Sequence, residues 1–145
     1  MVPTTGRLAR QVTIDILLHA VWPPALIFIT YVVLVILGVT RQLPGSDMVF
    51  HLVGGAALAW CVSRSMVICE RLGARVVVGR PARRLFIVAV TATAAVLWEF
   101  AEFSVDTVCG TSFQVDNTDT MSDLALGIVG GVLVAVLWVQ RERDV

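Results

Sequence analysis

The sequence contains no lysine and has few charged residues of any kind. Charged side chains make up 15% of its 145 residues, whereas an average soluble protein has about 25%. Hydrophobic residues make up 57%, so the chain has more apolar surface than one small core can bury. The formal net charge is zero, which gives no basis for binding nucleic acid. A lipid bilayer is the simplest environment for such a chain.

Signature motifs of common soluble enzymes are also missing. The sequence has no Walker A, dinucleotide-binding, Gly-x-Ser-x-Gly or Cys-x-x-Cys motif. Two of its three cysteines, Cys61 and Cys69, lie in an apolar stretch, and Cys109 is alone near a polar segment. No intramolecular disulfide framework is therefore expected, although Cys109 leaves an intermolecular bond open.

Four long apolar stretches dominate the sequence, at residues 20–39, 48–69, 85–106 and 121–139. Each is close to the ~20 residues that a helix needs to cross ~30 Å of hydrocarbon. Backbone N–H and C=O groups must find internal partners in lipid, so the stretches should be helices. The sequence predicts an all-α integral membrane bundle of four transmembrane helices, forming a single domain over residues 1–145.

The first stretch has two alternative interpretations. A cleaved signal peptide is disfavoured because the apolar run is long and no small-x-small cleavage site precedes the loop at 40–46. Alternatively, residues 11–22 form an interfacial helix that is broken at Pro23-Pro24, where the span proper begins. Proline is tolerated in the first turn of a helix, which suits such a break.

Arginines are concentrated on one side of the predicted spans. Nine of the eleven arginines flank the spans on that side, at positions 7, 10, 71, 75, 80, 83, 84, 141 and 143. The positive-inside rule therefore places both termini and the basic loop 70–84 in the cytoplasm. The chain is expected to be a multi-pass protein of the inner or plasma membrane. The basic loop would contact anionic headgroups or, alternatively, dock a cytoplasmic partner.

Acidic residues gather on the opposite side. Seven of the eleven lie there, most of them three or four residues apart and so on one face of a helix: Asp47, Glu99, Glu102, Asp106, Asp116, Asp119 and Asp123. His51 follows Asp47 by four residues, and Gln114 lies in the loop before the last span. We expect His51, Glu99, Glu102 and Asp123 to converge in one cavity.

The depth of Glu99 makes this patch more than a solvated surface. Glu99 follows fourteen residues without a charge, or roughly 21 Å of helix, so it should lie within the hydrocarbon layer. An unpaired carboxylate there costs at least ~2.5 kcal/mol. Some carboxylates of the patch must therefore be protonated, or a cation must neutralise them.

Several of these residues also carry a family resemblance. The segments Asp47-Met48-Val49-Phe50-His51, Trp98-Glu99-Phe100-Ala101-Glu102 and Asp119-Thr120-Met121-Ser122-Asp123, with Asp106, Gly110, Gln114 and Gly130-Gly131, occur in this order. Together they resemble the YjdF-like bacterial inner-membrane family and, more distantly, the VanZ-like membrane proteins. The resemblance covers residues 47–136. YjdF-like proteins have no established reaction, and VanZ-like proteins imply a setting in the cell envelope. The chain is shorter than typical YjdF-like proteins, so oligomerisation would replace their extra spans.

The first functional hypothesis is a site for a divalent cation of unknown identity, acting on a cell-envelope or lipid-linked substrate. Carboxylate oxygens suit Mg²⁺, Ca²⁺ or Mn²⁺, and an imidazole also admits Fe²⁺ or Zn²⁺. The candidate ligands are Glu99, Glu102, Asp106, Asp119 and Asp123. The candidate catalytic residues are His51, Glu99 and Glu102, supported by Asp47 and Gln114.

Two other classes of function stay open. The chain is an accessory or structural subunit of a larger membrane complex, or it transports ions or protons as an oligomer. Transport is disfavoured because the apolar run before Glu99 and the segment after Asp123 contain no ionisable group. The expected partners are membrane lipids and further copies of the chain or other membrane subunits, and not nucleic acid.

Overall fold

A computed structural model describes residues 5–43, 45–74 and 79–141. Those residues form five α-helices and no strand: α1 (Thr5–His19), α2 (Trp22–Ile36), α3 (Ser46–Arg71), α4 (Arg80–Cys109) and α5 (Asn117–Arg141). One 3₁₀ turn, Thr40–Gln42, joins α2 to α3. The predicted all-α fold is confirmed.

Three of the helices are long and apolar enough to cross a membrane on their own, namely α3, α4 and α5. They contain the predicted spans 48–69, 85–106 and 121–139. A fourth span exists if α1 and α2, which are bent by 49° relative to each other, are counted together. The described helices therefore support three to four spans, as expected of a multi-pass membrane protein.

The first predicted span, 20–39, differs most from the structure. α2 has only 15 residues and ends at Ile36, and the chain bends before Trp22. Pro23 and Pro24 lie in the first turn of α2, where their missing N–H groups are not needed. The break at residues 20–21 directly precedes Trp22 and the two prolines, and α1 is a helix separate from α2, as in the alternative that places a separate helix before Pro23-Pro24.

The centre of the bundle is a close crossing of α3 and α5. A side chain at Gly55 would overlap the backbone of Gly127, and one at Gly130 would overlap the carbonyl oxygen of Leu52. Small residues permit such backbone-to-backbone packing in membrane bundles. α4 completes the core, with Thr91 packed against Gly131. α2 packs on the outside, against α3.

The antiparallel order of α3, α4 and α5 gives the bundle two unlike ends. The acidic end, as we call it, is where α3 begins, α4 ends and α5 begins. The arginine end is the opposite one, where Arg71, Arg80, Arg83 and Arg84 lie and Arg83 donates to Glu70. Arg75 and Arg143, two further arginines of the topology argument, lie outside the described residues. The cytoplasmic placement of the arginine end stays a prediction.

Candidate functional site

A cluster of carboxylates surrounds one histidine at the acidic end. His51 lies one turn into α3, and its Nδ1 atom is 3.7 Å from Oε1 of Glu99 on α4. Its Nε2 atom is 3.8 Å from Oδ2 of Asp123 on α5 and 3.7 Å from Oδ1 of Asp47, one turn earlier on α3. Three helices thus bring their acidic residues to a single imidazole.

The cluster is enclosed by the bundle. His51 is 9% exposed, Glu99 is 5% exposed and Asp123 is 2% exposed. The gaps of 3.7–3.8 Å between the imidazole and the carboxylates are too long for direct hydrogen bonds. The imidazole and the carboxylates are therefore close together but form no direct hydrogen bonds with one another.

Several oxygens of the cluster have no hydrogen-bond partner among the described residues. They are Oδ1 of Asp47, Oε1 of Glu99 and Oδ1 of Asp123. A buried polar atom without a partner costs about 1–3 kcal/mol, and more when it is charged. Each of these oxygens consequently requires a proton, a water molecule or a cation.

The other oxygen of Glu99 is held by the loop that leads into α5. The side-chain amide of Gln114 donates from Nε2 to Oε2 of Glu99 and to its backbone oxygen, at 2.9 Å in both cases. This contact fixes the Glu99 side chain so that Oε1 is directed at His51. Gln114 thus contacts a member of the cluster directly, and its supporting role stays a prediction.

Glu102 lies one turn beyond Glu99, and two aromatic side chains hold it. Tyr31 on α2 donates its hydroxyl to Oε1 of Glu102 at 3.1 Å, and Trp98 donates its indole N–H to the same atom at 2.9 Å. Sequence reasoning missed Tyr31. A signal was present, because Tyr31 is the only tyrosine and lies within an otherwise apolar helix. Trp98 packs against Phe28 and Tyr31 and also donates its hydrogen bond to Glu102.

Asp106, Asp116 and Asp119 hold the loop before α5 instead of joining the cluster. Asp106 accepts hydrogen bonds from the Thr111 hydroxyl at 2.6 Å and from the backbone N–H groups of residues 113 and 114 at 2.9 Å. Asp119 accepts one from the backbone N–H of residue 115 at 3.1 Å. The backbone N–H groups of residues 118 and 119 donate to Asp116 and lower its pKa, since they stabilise the ionised form. These hydrogen bonds give the three side chains a structural role in the segment that leads into α5.

Among the described residues, two sets of three side chains lie close enough together to hold a metal ion. One comprises His51, Glu99 and Asp123, and the other comprises Asp47, His51 and Glu102. Within each set the potential ligand atoms lie within 4.8 Å of one another. The structure thus brings together most of the site residues expected from the sequence, whereas Asp106 and Asp119 stay outside both sets.

Comparison with known proteins places the chain in a family without a known activity. The family model DUF2238, described as a predicted membrane protein, matches residues 12–144. The resemblance to YjdF-like proteins is confirmed, since that family is the same one. The more distant resemblance to VanZ-like proteins stays a prediction. No curated protein and no solved structure matches the chain.

Proposed function

We propose that this chain, which belongs to the DUF2238 family, binds a divalent cation between His51, Glu99 and Asp123 at the acidic end of its bundle. The observation that carries the proposal is the pair of buried carboxylate oxygens, Glu99 Oε1 and Asp123 Oδ1, that have no hydrogen-bond partner among the described residues. Both carboxylates belong to the set that surrounds His51.

The spacing of the ligand atoms supports a bound ion. Two ligands that are each about 2.1 Å from one metal ion lie at most about 4.2 Å apart. One atom each from His51, Glu99 and Asp123 can be chosen so that the three lie within 4.8 Å of one another, close to that limit. Rotation of the carboxylates toward one ring nitrogen would bring the three atoms onto one ion.

Charge supports the same conclusion. Two ionised carboxylates in the enclosed cluster repel each other, and one divalent cation balances their charge. The imidazole favours Mn²⁺, Fe²⁺ or Zn²⁺ over Ca²⁺ and Mg²⁺, which prefer oxygen ligands alone. When one ring nitrogen of His51 binds the ion, the other faces a carboxylate, the usual support for a metal-binding histidine.

The same site supports catalysis on a lipid-linked substrate by hydrolysis or group transfer. A cation bound there would supply Lewis-acid chemistry. Glu102 lies within reach of His51 in the second set and is held in place by Tyr31 and Trp98. It is the residue best placed to exchange a proton with a substrate or water molecule beside the ion.

A transport function has less support. Deeper in the bundle, the described buried polar side chains are Ser63 and Thr91. The hydroxyl of Thr91 donates to the backbone oxygen of Ile87 in its own helix. Among the described residues, no chain of ionisable groups leads from the cluster through the bundle to the arginine end.

The proposal is tested by the metal content of the protein purified in detergent, measured by mass spectrometry after incubation with Mn²⁺ or Zn²⁺ and desalting. About one ion per chain is expected in the wild type. The double variant Glu99→Gln/Asp123→Asn should retain less than a tenth of that amount, because both unpartnered carboxylates are neutral amides.

Asp116→Asn is the matched control, because it removes a carboxylate at the same end of the bundle but outside both ligand sets. This variant should bind as much metal as the wild type. A wild type without bound metal, or a double variant that binds as much as Asp116→Asn, would contradict the proposal. The acidic cluster would then be a structural feature of an accessory subunit.

A further inference from the structure

An apolar groove begins directly beside the proposed cation site. It has a volume of about 200 Å³ and lies between α2 and the core formed by α3, α4 and α5. Asp47, His51 and Tyr31 line one end of the groove. Beyond them its walls are apolar or small side chains, so the groove is polar only where it meets the carboxylate cluster.

The groove exists because the residues of α3 and α4 that face α2 here are small, so they do not fill the space between α2 and the core. Gly54 on α3 and Ala94 on α4 line the core side of the groove, and Ile27 and Phe28 on α2 line the opposite side. A side chain added at Gly54 would meet only the Ile27 methyl group, at 4.0 Å. The groove thus has room for additional atoms.

The groove also reaches the surface of the bundle. Phe28 lines it and is 52% exposed, in a helix that faces lipid if α1 and α2 form a span. α2 packs against α3, and aromatic side chains connect it to α4 through contacts of Phe28 and Tyr31 with Trp98. A hydrocarbon chain can therefore enter from the membrane between side chains, without separating two close-packed backbones.

The shape and chemistry of this space indicate its occupant. An apolar cavity does not hold water well, and one of about 150 Å³ accommodates a benzene molecule. A groove of about 200 Å³ has room for a segment of a single hydrocarbon chain. Membrane lipid supplies such chains at high concentration.

The cation determines which headgroup fits. Three protein atoms leave about three positions of a six-coordinate ion open. Oxygen ligands fill such positions, and phosphate oxygens commonly do so on Mg²⁺ and Mn²⁺. We propose that the groove holds one hydrocarbon chain of a lipid whose phosphate headgroup binds the cation at His51, Glu99 and Asp123. This inference rests on the proposed cation site and assigns its substrate class.

The test uses dodecyl phosphate that carries a diazirine in the middle of its chain. The probe is added to the Mn²⁺-loaded protein in lipid nanodiscs, photolysed, and located by peptide mass spectrometry. Labelling is expected on α3 near Gly54 and on α4 near Ala94. It should fall at least five-fold when EDTA removes the metal. Inorganic phosphate at the same concentration should compete poorly because it lacks the chain.

Three variants test the groove independently of the metal site. Gly54→Leu and Ala94→Leu fill the groove, and each should reduce labelling at least five-fold without changing the Mn²⁺ content. Val53→Leu is the matched control, because it adds one methylene group to the neighbouring residue, which is 40% exposed. It should label like the wild type.

The outcomes distinguish this inference from the function on which it rests. Mn²⁺ bound at one ion per chain, with equal labelling in wild type, Gly54→Leu and Ala94→Leu, overturns the inference and leaves the cation site intact. Equal labelling with EDTA, or with the matching diazirine dodecanol, overturns the assignment of a phosphate headgroup. A wild type that binds no Mn²⁺ overturns both.

Discussion

At the residue scale, the acidic end depends on which oxygens the fold satisfies and which it leaves without partners. Glu102 is satisfied by two aromatic donors, and Asp106 by the backbone of the loop that follows it. Glu99 and Asp123 each keep one buried oxygen without a partner. Asp47 keeps one as well, so a buried oxygen without a partner is shared by the two proposed carboxylate ligands and by the third carboxylate beside His51.

Part of this arrangement could be predicted from the sequence. Spacings of three and four residues place Glu99 and Glu102 on one face of α4, and the same argument pairs Asp47 with His51 on α3. As the only tyrosine, Tyr31 could have been singled out, but its hydrogen bond to Glu102 could not be predicted, because that bond depends on how α2 is rotated against α4. The separate role of Asp106 depends on the turn at residues 110–116, whose backbone geometry helical periodicity does not determine.

Tyr31→Phe tests the link between α2 and the cluster. The phenylalanine ring keeps the contacts with Phe50 and Trp98 but loses the hydrogen bond to Glu102. We expect a loss of about 1–2 kcal/mol of stability, seen as a lower Tm in detergent, because Trp98 remains as a donor to Glu102. Thr30→Val, at the preceding residue, should leave the Tm closer to that of the wild type. A Tm for Tyr31→Phe equal to that of the wild type would show that the hydroxyl contributes nothing.

At the level of the helices, two adjacent glycines of α3 differ in whether a side chain would fit in their place. Gly55 lies against the backbone of Gly127, whereas Gly54 faces the groove. Both are small residues of the kind that permits close helix crossings in membrane bundles. The sequence could not separate them, because neighbours on a helix differ by 100° in direction and the exact rotation of α3 decides which one meets α5.

Gly55→Ala should therefore destabilise the bundle by about 1–3 kcal/mol or more, since the new methyl group meets backbone that cannot move aside easily. The variant should also bind the cation more weakly, because α3 and α5 carry His51 and Asp123. Gly54→Ala, its matched control, should be as stable as the wild type or up to about 1 kcal/mol more stable, because the groove leaves room for its methyl group and alanine favours a helix over glycine. Thermal unfolding in detergent measures both variants. Equal Tm values for the two would contradict the proposed α3–α5 crossing.

At the scale of the whole molecule, the segregation of charge predicts the orientation in the membrane. The arginine end should face the cytoplasm and the acidic end the opposite side. Composition and the lengths of the apolar stretches were enough to predict the helical bundle. The bend between α1 and α2 was expected only as an alternative, from Pro23-Pro24, because the length of an apolar stretch does not reveal where its helix breaks.

Accessibility of cysteines in intact cells or spheroplasts tests this orientation. Cys109 is exposed at the acidic end and should react with a membrane-impermeant maleimide added from outside. Ala74→Cys in a Cys109→Ser background, at the arginine end, should react only after the membrane is permeabilised. The reverse pattern would place the cation site on the cytoplasmic side.

The cation is proposed to bind at His51, between Glu99 and Asp123. Pulsed electron paramagnetic resonance of the Mn²⁺-loaded protein tests this proposal most directly, because a bound imidazole couples a ¹⁴N nucleus to the metal. We predict this coupling in the wild type and in His19→Gln, which changes the other histidine of the chain. In His51→Gln the coupling should disappear and the Mn²⁺ affinity should fall at least ten-fold. Mn²⁺ that binds to the wild type without nitrogen coupling, or that keeps its coupling in His51→Gln, would contradict the account.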